Sequence, residues 1–74
     1  MVRENKQKIL DKLTETLQLT YNANDLQCIV YHNPNRQKEQ AIIQYKNGHM
    51  KTINIHMDSG TTMIADVLKA MSLL

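Results

Sequence analysis

Three histidines, one cysteine and the run Asp58-Ser59-Gly60-Thr61-Thr62 are the residues of this chain best suited to chemistry. His32, His49 and His56 fall at strand ends or turns, and none has Cys or carboxylate partners at metal-ligand spacing. Cys28 lacks a base within reach, since His32 lies four residues along the same extended run, about 13 Å away. It reads as a small buried hydrophobe. The 58–62 run offers backbone N–H groups at a helix start, a glycine and three hydroxyls, a set that can cradle phosphate. No lysine sits beside the Ser and Thr as a Walker loop requires, and Asp58 places negative charge where the anion would go. The run therefore reads as a helix cap. No two carboxylates look like an acid–base dyad, so no enzyme, metal or cofactor is expected.

Behind these residues stands a short chain. Its 74 residues make one domain, 1–74. A chain this small buries only about 60% of its unfolded surface. It has no second cysteine for a disulfide, so its core must be complete or shared with another copy. The net charge of +2 is too small to imply nucleic acid by itself. The lone cysteine suits a reducing compartment, no apolar run is long enough to span a membrane, and MVRENKQKIL is too polar for a signal peptide. A cytoplasmic protein is expected.

The elements follow from periodicity. Ile9, Leu10, Leu13 and Leu17 form one stripe of a helix over 4–18, with Lys6 extending it through its aliphatic stem and Glu4 pairing with Lys8. Leu26 to His32 reads as a strand, with Leu26, Cys28 and Val30 facing the core. Asn33 to Glu39 reads as a polar loop in which Pro34 ends the pairing. Strands near 40–46 and 49–57 flank Asn47-Gly48, read as a two-residue type I′ turn. That turn sets Ile43 opposite Thr52 and Ile42 opposite Ile53. Ile42, Ile53, Ile55 and Met57 then face the core. Met63, Ile64, Val67, Leu68 and Met71 line a final helix over 60–72, capped by Asp58 or Ser59. The expected fold is α+β, in the order α-β-β-β-α, a three-stranded antiparallel meander with two helices packed on one face.

The same register brings Ile29, Tyr31, Ile43, Tyr45, Met50 and Thr52 together on the uncovered face. So large an apolar patch marks a contact with a protein partner or with a second copy, a homodimer being the commonest arrangement. A nucleic-acid surface built from Lys8, Lys12, Arg36 and Lys38 is the second reading.

The order α-β-β-β-α, with Asn33-Pro34 between the first two strands, resembles the double-stranded-RNA-binding domain. That family has a Gly-Pro loop at this place and a lysine cluster opening its second helix. Here Thr61, Thr62 and Met63 stand at the cluster's position. The resemblance implies this fold and, in the second reading, a duplex RNA or DNA partner. The run Tyr45-Lys46-Asn47-Gly48, with Asn54 to Val67, resembles the C-terminal half of small proteins carried by phages and mobile elements of low-GC Gram-positive bacteria. That resemblance implies a compact accessory protein acting on a host or defence component.

Overall fold

A computed structural model describes residues 4–35 and 37–74. The elements are α1 (Lys6–Gln18), β1 (Leu26–Asn35), β2 (Lys38–Tyr45), β3 (Met50–Asn54) and α2 (Gly60–Ala70). The strands form one antiparallel sheet in the order β1-β2-β3. Leu10 and Leu17 of α1 and Met63 and Val67 of α2 share a core with Ile29, Ala41, Ile43 and Ile55, so both helices cover the same face. Burying a side chain such as Leu10 stabilises by about 1.5–3 kcal/mol.

Helix α1 begins where Asn5, in extended conformation, accepts the Lys8 N–H on its side-chain oxygen at 3.0 Å. Glu4 lies ahead of this cap rather than inside the helix, and it contacts α2 instead of pairing with Lys8. Thr14 is buried within the stripe, and its hydroxyl donates to the Leu10 carbonyl at 2.8 Å. That bond removes the cost of an unpaired buried hydroxyl.

The β2–β3 turn differs from the expected type I′. The Gly48 N–H donates to the Tyr45 carbonyl at 3.0 Å, and the Tyr45 N–H donates to the His49 carbonyl at 2.9 Å. The strands are thus joined by three residues, Lys46, Asn47 and Gly48. A type I′ turn needs positive φ at both central residues, but only Gly48 has it, at 92°. Asn47 instead accepts the His49 N–H on its side chain at 3.0 Å. The geometry is a type I turn closed by a left-handed glycine. Ile43 consequently pairs with Lys51, not Thr52, and Ala41 pairs with Ile53.

This one-residue slip, together with a register shift between Leu26 and Cys28, exchanges the faces of β1 and β2. Ile29 and Ile43 are buried, and Tyr31 and Tyr45 are half-buried against the core. Those four residues were expected on the open face. Cys28, Val30 and Ile42, expected inside, are half-buried on the open face instead. Leu26 is fully buried because the shift changes phase just after it. Ile53 and Ile55 face the core as expected, whereas Met57 is 84% exposed.

The expected 33–39 loop is a tight hairpin. Asn35 pairs with Lys38, and the Gln37 N–H donates to the Asn35 side chain at 2.9 Å. Pro34 falls in a register irregularity between His32 and Asn35, where its missing N–H does not interrupt the ladder.

Two glutamines of α1 close the outer edge of β1. Gln7 accepts the Tyr31 N–H at 2.7 Å and donates to the Ile29 carbonyl at 3.1 Å, with Asp11 orienting its amide from 2.8 Å. Gln18 donates to the Leu26 carbonyl at 2.9 Å. Gln7→Ala leaves the partly buried Tyr31 N–H without a partner and should lower unfolding stability by about 1–3 kcal/mol. Urea denaturation with an unchanged slope checks this; an unchanged midpoint would show that water replaces the amide at no cost.

Candidate docking surface

The alternation of the three strands puts Cys28, Val30 and His32 of β1, Gln40, Ile42 and Gln44 of β2, and Met50, Thr52 and Asn54 of β3 on the uncovered face. The registers align them in rows. Val30, Ile42 and Thr52 make the central row, with Gln44 joining Cys28 to Met50 on one side and Gln40 joining His32 to Asn54 on the other. None carries a formal charge with histidine neutral, in a chain whose residues are 22% charged. Interface cores are depleted of charged residues, and this face shares that feature.

Of the residues assigned to this face from sequence, Met50 and Thr52 are there, with Met50 60% exposed. Ile29, Tyr31, Ile43 and Tyr45 face the helices. Tyr45 has its hydroxyl pKa raised by burial and by the nearby Asp25 carboxylate. The signal for Val30 and Ile42 was present in the sequence as a second apolar phase of the same strands.

The two sheet edges are not alike. On either side of β3, the Tyr45 N–H donates to the His49 carbonyl and the Ile55 N–H donates to the Glu39 carbonyl, so the odd-numbered residues turn their backbone groups toward β2. Met50, Thr52 and Asn54 therefore direct theirs outward. No side chain of the described residues bonds to them, in contrast to the glutamine-covered edge of β1.

The basic residues lie elsewhere. Lys8 and Lys12 border a shallow groove of about 640 Å³ between α1 and α2, whose floor includes Ile9, Leu13 and Ile64. Lys12 also contacts Glu15 at 3.6 Å. Lys38 is exposed in the β1–β2 hairpin, and Arg36 lies outside the described residues.

The 58–62 run is a cap. Ser59 accepts the Thr62 N–H at 3.3 Å, and the Gly60 N–H donates to the Glu4 carboxylate at 3.0 Å. Glu4 thus supplies the negative charge that a helix N-terminus attracts. A Cβ on Gly60 would meet that carboxylate and come within 2.9 Å of Ile9 Cδ1.

Glu39 gathers the remaining polar groups. It accepts from Lys6 Nζ at 2.7 Å, from the Tyr31 hydroxyl at 2.6 Å and from the Met57 N–H at 3.1 Å. His56 Nδ1 lies 3.9 Å away. Bonds from Lys6, then Tyr31, hold the Glu39 carboxyl down at about 2, and Glu39 in turn raises the Tyr31 pKa. Asp58 behaves oppositely. The neighbouring Asp66 carboxyl, which favours a shared proton, and burial raise its pKa, and its Oδ2 finds no partner among the described residues.

Among the described residues no group of three or more His, Cys, Asp or Glu is placed to hold a metal, and no helix is long and apolar enough to cross a membrane. No protein family, curated protein or solved structure matches the chain.

The two shifted carboxyls set opposing acid responses. Glu39 has a folded pKa below its unfolded value, so its contribution is complete above about pH 4.5 and is lost as pH falls toward about 2. Asp58 has a raised folded pKa, so the stability it adds is complete below its unfolded value and disappears as pH rises through the folded one. Glu39→Gln should flatten the acid-induced loss between pH 4.5 and 2. Asp58→Asn should raise the unfolding midpoint at pH 7 and leave it nearly unchanged at pH 3. Thermal melts across this range check both; parallel profiles for wild type and variants would refute the assignment.

Proposed function

We propose that this chain is a non-enzymatic accessory protein that acts by binding a protein through the open face of its sheet. The observation that carries this reading is the continuous uncharged surface centred on Val30, Ile42 and Thr52. The face of a three-stranded sheet is an extended surface rather than a cleft, so it suits another protein's surface better than a small ligand. A short chain without a disulfide also gains proportionately from having such a face covered. The resemblance of its C-terminal half to small phage and mobile-element proteins supports an accessory role toward a host or defence component.

Ile42 sits on the central strand and is only half-buried, so Ile42→Lys puts a charge into the middle of the face while the core stays intact. Light scattering behind a sizing column, with pull-down by tagged protein, should show self-association or a captured partner for wild type and its loss in Ile42→Lys. An unchanged mass and unchanged capture would refute the reading.

Nucleic-acid binding is the second reading, supported by Lys8 and Lys12 standing one turn apart on the same border of α1. It predicts a low-salt gel shift with duplex RNA or DNA that weakens steeply with salt and is lost in Lys8→Ala with Lys12→Ala. No shift at micromolar protein would end it.

A further inference from the structure

We infer that a second copy of this chain joins edge to edge through β3, extending the open face across both copies rather than covering it. The inference goes beyond the docking reading above, because it concerns an edge of the sheet and not its face. It begins from the asymmetry of the edges. The β1 edge has its backbone groups at Ile29 and Tyr31 taken by Gln7, and its carbonyl at Leu26 taken by Gln18. The β3 edge has no such cover among the described residues.

Exposed edges invite pairing unless a charge, a proline or a bulge blunts them. Strand β3 reads Met50-Lys51-Thr52-Ile53-Asn54, with no proline, and its pairing with β2 runs without a register shift. Its one charge, Lys51, projects from the covered face and donates to the Ala70 carbonyl at 2.8 Å, at the end of α2. The usual guard is therefore engaged elsewhere.

The strand is also complementary to itself. An antiparallel pair centred on Thr52 sets Thr52 against its twin, Met50 against Asn54 and Lys51 against Ile53. No like charges face each other. The outward N–H and C=O groups of Met50, Thr52 and Asn54 become hydrogen-bonded pairs, since these are the residues that do not bond to β2. The open faces of the two copies then run together as one uncharged surface. Ile53, half-buried at the rim of the core, then stands opposite the partner's Lys51. A foreign strand would satisfy the same backbone groups; a second copy does so in the register centred on Thr52 with no like charges opposed.

Amide hydrogen exchange and light scattering on the full chain test this at protein concentrations up to about 1 mM. The expected result is a dimer in which the Met50, Thr52 and Asn54 amides slow as concentration rises, while those of Lys51 and Ile53 are slow throughout. Thr52→Pro removes an outward N–H that β2 does not use, and Thr52→Lys places two ammonium groups on the twofold axis. Both should abolish the dimer; circular dichroism confirms the fold, and Thr52→Lys carries the test if the proline variant unfolds. A monomer at every concentration overturns the inference, as does a dimer that survives Thr52→Lys. A dimer lost in Ile42→Lys but kept in Thr52→Lys overturns the edge pairing and leaves the face reading standing. Slowing of the three amides only on addition of a different protein overturns the second copy as partner.

Discussion

The pairing of Tyr45 with His49 controls the phase of the sheet, and the rest of the molecule follows from that phase. Gly48 closes the three-residue loop because it holds φ at 92° without a Cβ to clash. Asn47 reinforces the loop by accepting the His49 N–H. From this pairing Ala41 and Ile43 share a face with Ile53 and Ile55, and that face alone receives both helices. A loop shorter by one residue would send Ile42 inward and Ile43 outward, and the side chains of α1 and α2 would meet a different surface.

Polar contacts then decide where α1 lies along the sheet. Hydrophobic burial is non-directional and leaves a helix free to slide or tilt. Gln7 and Gln18 remove that freedom by bonding to the backbone of β1 from both ends of the helix. Lys6 adds a third tie through Glu39, which is also bonded by Tyr31 and the Met57 backbone. A partly buried ion pair gives little net stability unless further hydrogen bonds support it, and here the Tyr31 hydroxyl and the Met57 N–H do so. The same carboxylate bonds to Met57, whose φ of 64° is uncommon for a residue with a side chain. Glu39 thus links the start of α1, the sheet and the turn into α2.

These ties have a consequence for function. By covering the β1 edge they leave β3 and the open face as the sheet's accessible surfaces. The face is uncharged while the helices carry much of the charge, so the molecule is two-sided. The helix side includes Lys8 and Lys12 on the border of an apolar-floored groove. Binding through the sheet side leaves that groove accessible.

Element order, the helix stripes and a cap at Asp58 or Ser59 were legible in the sequence because they rest on local periodicity and local hydrogen bonding. Leu10, Leu17, Met63 and Val67 recur at helical spacing whatever the rest of the chain does. The strand faces were not legible, for a definite reason. The run Ala41-Ile42-Ile43 is apolar in both phases, as is Cys28-Ile29-Val30, so alternation could not say which set is inside. A one-residue difference in loop length and a register shift after Leu26 made that choice, and both depend on how strands pair. The glutamine contacts were equally hidden, because a helix glutamine bonds to a strand edge only after packing has brought the two together. The sequence by itself determined which elements form and which stripe of each helix faces the core. Tertiary structure alone decided which side of the sheet is core and which edge is closed, because both follow from contacts between distant residues.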